Sequence, residues 1–161
     1  MGWWDVLFPS VLGEAEIRVL SSSDAGRTVS VSFVVKTFTV AKKNEFAAQN
    51  IPGLNGEPLQ FIRGRSRTLS AVLSFDGRST DTDVRQLMRD VTGFMNVDRD
   101  THAPPVLSFE WKGRSLQCVL ESAVEEFRSV FPDGRPSRGR LHVVFRESRT
   151  LAQLVEEVRL E

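Results

Sequence analysis

Apolar and polar residues alternate through most of this chain, and within its body the alternation gives way once to helical spacing. Positions 16–20 (EIRVL) and 27–33 (RTVSVSF) place apolar side chains at every second residue, with a polar stretch holding Asp24 and Gly26 between them. Since a strand sends successive side chains to opposite faces, this predicts a β-hairpin. Residues 34–40 continue as a strand or a short connection, with Phe38 and Val40 on one face. Residues 41–58 sustain neither period and contain Pro52, Gly53, Gly56 and Pro58, which predicts a long loop. Residues 59–76 (LQFIRGRSRTLSAVLSFD) pass from an apolar segment through a basic, glycine-containing kink into a long alternating segment. That is the pattern of a strand turning a corner and continuing into the core, with Leu69, Ala71, Leu73 and Phe75 on one face. Thr68, Ser70, Val72 and Ser74 fall on the other.

Between 80 and 97 the period lengthens. Val84, Leu87, Met88, Val91, Phe94 and Met95 are spaced for one face of a helix, with Thr80 or Asp81 as its N-cap. After the extended Pro104-Pro105 pair, segments 106–111 and 114–119 flank a Lys112-Gly113 turn and predict a second hairpin. Residues 121–131 fit either a helix or a bent strand continuing that hairpin, and the strand is favoured. Pro132-Asp133-Gly134 marks a turn, 138–147 a last strand, and 151–160 a short amphipathic helix with Leu151, Leu154, Val155 and Val158 on one face. Strands on both sides of a single helix predict a mainly β chain of α+β type. An antiparallel β-barrel with one flanking α-helix and short terminal extensions fits, because closure removes aggregation-prone edges.

Composition narrows the partners. The 161 residues suit one domain. Basic and acidic residues number 21 each, so no global field draws in nucleic acid or an anionic membrane, and neither is an expected partner. No apolar run reaches the eighteen or so residues that span a bilayer, and membrane insertion is not expected. A lone cysteine, Cys118, sits inside SLQCVLESAV and predicts folding in a reducing compartment, hence a cytoplasmic protein when made. The first thirteen residues lack a basic n-region and are interrupted by Asp5 and Pro9, unlike a signal peptide. Their Trp3, Trp4, Leu7 and Phe8 make an aromatic arm that packs either on its own domain or on another subunit.

The polar residues assemble no chemistry. His102 and His142 have no second ligand at metal spacing, and Gly53, Gly56 and Gly64 follow no phosphate-cradle pattern. Asp76, Asp81 and Asp83 cluster at the start of the helix, where opposing the dipole is an ordinary role. No catalytic, cofactor or metal site is expected, and the chain is read as no enzyme; a small hydrolase using Cys118 or a histidine is the outlying alternative. Arg63, Arg65 and Arg67 share one side if they share one strand, where they line a pore, pair with a neighbour's acids, or stand in solvent.

Four segments taken together carry a resemblance. GLNGEPLQFIRGRSRTLSAVLSFDG (53–77), the helix with Asp83-Val84-Arg85, HAPPVLSFEW (102–111) and FPDGRPSRGRLHVVFRE (131–147) resemble, in order and spacing, the tube-type domain of contractile injection systems, which are phage-tail-like machines. The resemblance covers roughly 14–148, dividing the chain into the aromatic arm 1–13, a tube-type domain 14–148 and a C-terminal helix 149–161. It implies a tail-tube-like β-barrel assembled as a hexameric ring, with tube, spike or hub and baseplate proteins of the same particle as partners. Some members form the first tube layers at the baseplate, joining spike hub to tube. Several carry a peptidoglycan-binding LysM domain after this module, whereas only a short helix is expected here. A structural part of this kind is cytoplasmic when assembled and then belongs to a particle that is retained or released. The alternative role is a tube-fold adaptor or cap that binds cargo or a tube end. Expected contact residues are Phe46, Asn50 and Leu54 in loop 41–58, between layers; Trp3, Trp4 and Phe8, toward an adjacent subunit or ring; and Arg63, Arg65 and Arg67, as a lumen-facing or inter-subunit charge row.

Overall fold

In the computed structural model the described residues are 11–150 and 153–156. The first hairpin forms as expected: β1 (Leu12–Val19) pairs antiparallel with β2 (Thr28–Val34). Its turn is closed by a 2.8 Å bond from the Val19 N–H to the Arg27 carbonyl, and Gly26 takes the positive φ of 94° that a side chain would resist. A 3-10 turn at Val35–Thr37 then carries the chain into the short β3 (Thr39–Ala41). Phe38 packs against the core while Val40 is exposed on this edge strand, so the two do not share the face that alternation assigned them.

The expected long loop 41–58 is partly strand. Residues Asn44–Ala48 form β4, which pairs with β5 (Leu59–Gly64) in a separate two-stranded sheet, leaving 49–58 as the connection. Five residues with two alanines carry little strand signal of their own, and the pairing with β5 supplies it. The chain turns its corner at 65–67 and enters β6 (Thr68–Asp76), as the 59–76 pattern predicts. The core portion begins only at β6, however, because β5 belongs to the other sheet.

The helix, α1 (Val84–Thr92), is shorter than 80–97 and continues as a 3-10 turn at Gly93–Met95. Its N-cap is Asp83 rather than Thr80 or Asp81, accepting from the Arg85 N–H at 2.9 Å. Residues 77–82 are used otherwise: the Thr82 N–H donates to the Gly77 carbonyl, and Asp81 adopts φ 49° in that turn. A side chain at Gly77 would collide with the Thr82 carbonyl, so the approach requires glycine. Val84, Met88, Val91 and Phe94 bury the predicted stripe, and Met95 is left exposed.

Beyond α1, β7 (Leu107–Trp111) and β8 (Arg114–Val130) make the second hairpin, and β9 (Pro136–Glu147) is the last strand among the described residues. Residues 121–130 continue β8 as a strand, with register irregularities at Leu120/Ser122 and Phe127/Ser129 that bend it. One turn of helix at 153–156 is described; the rest of the expected helix 151–160 lies outside the described residues, as do Trp3, Trp4, Leu7 and Phe8.

The described residues are mostly β, with one main antiparallel sheet and α1 as the only α-helix longer than one turn among them. The main sheet runs β2-β1-β7-β8-β9-β6-β3, and β2 also pairs with β6 through Ser32↔Ser74 and Phe33↔Leu73. Pairing therefore returns on itself, but the seam is two residue pairs long, against nine between β6 and β9. The result is a rolled sheet with a short seam rather than full ladders all round. At the seam's end the Val72 N–H finds the Thr37 hydroxyl at 3.1 Å, and that hydroxyl donates to the Val34 carbonyl, so one side chain completes what the strands do not. Inside the roll, Ile17, Phe33, Leu73, Leu107, Leu141 and Phe145 are fully buried, each contributing on the order of 1.5–3 kcal/mol. Phe33, Phe38, Phe109 and Trp111 form an aromatic cluster, with Phe33 edge-on to Trp111 at 5.2 Å.

Candidate assembly surfaces

The β4–β5 hairpin is the first surface. It alternates like any strand pair, yet every β5 residue is exposed, and Phe46 and Phe61 are 51% and 57% exposed. Their rings meet edge to face at 5.7 Å, which is the hairpin's own small cluster. Leu59 is exposed on the same face and Ile62 on the other, and Ile51 and Leu54 stand exposed in the connecting loop with Asn50 beside them. A two-stranded ribbon in water is marginal by itself, and exposed aromatic and aliphatic groups on one mark a contact surface. Of the expected layer contacts, Phe46 is thus on a strand, whereas Asn50 and Leu54 lie in the loop.

The arginines sit at the root of this hairpin. They do not share one strand: Arg63 is in β5, while Arg65 and Arg67 occupy the corner before β6. Arg63 and Arg65 both reach Glu45 on β4, at 2.8 and 3.0 Å, so the corner ties the two hairpin strands together. Arg67 reaches Glu147 at the end of β9 at 3.0 Å, and its backbone N–H donates to the same carboxylate. Arg149 reaches the same Glu147 oxygen, Oε1, at 2.8 Å. Burial works to raise the pKa of Glu147, but these donors outweigh it and hold it at about 2. A buried, ionised carboxylate therefore pins the point from which the hairpin leaves the roll.

Two surfaces are not apparent in the sequence pattern. Beyond Cys118, β8 keeps β9 on one side but loses β7 on the other, because Pro104 and Pro105 stand where β7 would have to extend. Among the described residues its edge from Ser122 to Phe127 has no backbone partner, and Val124, Phe127 and Val130 are exposed along it. Closure of the sheet was expected to remove such edges. The only advance signal was the proline pair itself. The second surface is the cleft where β1 and the β7–β8 turn splay apart.

Chemistry is sparse. Burial pushes the Cys118 thiol up to about 12, so it is no nucleophile near neutral pH. His142 Nε2 pairs with Glu126 at 2.8 Å on the exposed face of β8 and β9, and His102 occupies a positive-φ position at φ 56° in the 98–102 turn. Asp83 is held at about 2 mainly by hydrogen bonds from Arg85, in keeping with its capping role. Among the described residues no helix is long and apolar enough to cross a membrane.

Comparison with known proteins agrees with this architecture. A search of curated proteins finds no match. The SPP1 phage Dit protein, described as a paradigm of the hub adsorption apparatus in phages that infect Gram-positive bacteria, superposes with a TM-score of 0.51 at 14% identity. That match covers 86% of this chain and 50% of the Dit chain, so this protein spans half of its length and the likeness is one of fold. A family model described as the contractile injection system tube protein matches residues 12–156. Matched over nearly all of its described residues, the chain belongs to the contractile injection system tube protein family.

Proposed function

We propose that this tube-type protein is a structural subunit that forms a hexameric ring at the junction between the baseplate hub and the inner tube. The observation that carries the reading is the β4–β5 hairpin, which exposes Phe46, Leu59, Phe61 and Ile62 without a core of its own. In a ring it would rest on the next layer, and residues 1–13 would contact an adjacent subunit or ring. The unpaired β8 edge suits lateral joining of copies, since a heterologous contact repeated around an axis closes a ring. Its partners would then be the tube, hub and baseplate proteins of the same particle, and its work mechanical rather than catalytic. Light scattering on the purified chain, followed by electron microscopy of particles, tests this. Six copies per ring at the hub-proximal end of the tube is the expected result. A substoichiometric protein bound at variable positions would overturn it in favour of an adaptor.

A further inference from the structure

β1 is eight residues long but pairs with β7 only over Glu16–Val19, through Glu16↔Glu110 to Val19↔Leu107. The Leu20 N–H donates to the Val106 carbonyl, so by antiparallel alternation residues 18, 16 and 14 turn their backbone groups toward β7. At Glu14 that strand has ended its pairing. The backbone N–H and carbonyl of Glu14 therefore point into a cleft of about 670 Å³ lined by β1, β2 and the Lys112-Gly113 turn. Trp111 lines the same cleft, and its indole Nε1 is buried with no hydrogen-bond partner among the described residues. A buried orphan donor is costly, by about 1–3 kcal/mol, unless something supplies an acceptor. Glu14 and Glu16 face outward on the β1 wall without an ion pair among the described residues, and Glu110 stands beside them with Arg18 at 3.7 Å. Lys112 and Arg114 belong to the opposite wall, so the acidic side is the one carrying the free strand edge.

A complementary edge exists on the same chain. β3 is three residues long, wholly exposed, and paired only with β6. Lys42 and Lys43 follow it directly, also exposed and without an ion pair among the described residues. The other cations nearby are engaged: Arg63 and Arg65 share Glu45, and Arg146 holds Glu121. A short basic edge and a short acidic edge lie on different strands of this chain, and they are complementary between copies.

We infer that the β1 cleft receives a second copy of this chain, which adds the outer edge of its β3 alongside Glu14 and brings Lys42 and Lys43 to Glu14 and Glu16. The contact is head to tail and deepens the ring reading, on which it rests. Charge reversal tests it in the full chain. Glu14→Lys with Glu16→Lys, and separately Lys42→Glu with Lys43→Glu, should each raise the concentration for half-assembly about tenfold or more, because like charges then face one another. The variant carrying all four reversals should assemble within about threefold of wild type. Thermal unfolding of each variant by circular dichroism controls for folding, and these exposed positions should leave it unchanged. Rings that persist in either double variant, or a folded quadruple variant that stays dispersed, would overturn this contact while leaving the ring itself standing. A wild-type chain that forms no rings would overturn the ring reading as well.

Discussion

β5 and β6 are consecutive strands separated by three residues, and they meet opposite fates. In β6 every second side chain is buried through Leu69, Ala71 and Leu73, whereas all six residues of β5 are exposed. Both segments are rich in β-favouring apolar residues, and composition does not separate them. The neighbours do. β6 lies between β9 on one side and β2 with β3 on the other, under α1, while β5 has only β4. Burial is thus a property of how many layers meet a strand, and the exposed half of the pair is available to another protein.

That contrast can be broken from the core side first. Leu73→Ala, at a fully buried position where β6 meets β2 and β9, should cost about 2–5 kcal/mol in urea denaturation. A cost below about 1 kcal/mol would mean that the roll is looser than its burial implies.

The corner between the two regions gives the next effect. The folded pKa of Glu147 is about 2, below its ordinary 4.5, so its contribution is complete above about pH 4.5 and is lost as pH falls toward 2. The shift corresponds to on the order of 3 kcal/mol. Glu147→Gln should lower stability at pH 7 by a similar amount, about 3 kcal/mol, and flatten the pH dependence between 4.5 and 2. An unchanged acid limb in the variant would place the latch elsewhere.

The smallest effect on stability belongs to the hairpin. Phe61→Ala should change monomer stability by less than about 1 kcal/mol, since the side chain is more than half exposed and packs edge to face on the similarly exposed Phe46. Its effect should appear instead in assembly, as loss of layer stacking under the electron microscope. A large stability loss with normal stacking would invert the comparison.

Much of this was legible in the residues. The hairpins around Gly26 and Lys112-Gly113, the alternation of β6, the helical stripe from Val84 to Phe94 and the strand reading of 121–130 each depend on local periodicity, which the chain carries openly. The four segments that resemble tube-type domains lie on those same elements. The arginines were visible as a cluster, but their partners were not, because Glu45 and Glu147 are distant in sequence and reach them only across strands. The Asp83 cap was missed because Thr80 and Asp81 satisfy the same preference, and the Gly77–Thr82 turn decides among them.

Local pattern was enough for the mainly antiparallel β class, the helical stripe and the inward face of β6, since side-chain period and turn chemistry are local; β4 was not among what it could give. Which strands have neighbours was settled in three dimensions. The two-pair seam closed by Thr37, the β8 edge freed by Pro104 and Pro105, and the acidic cleft below Trp111 all arise where one strand ends before its partner does. Strand ends are set by contacts between residues far apart in the chain, and no local pattern encodes them.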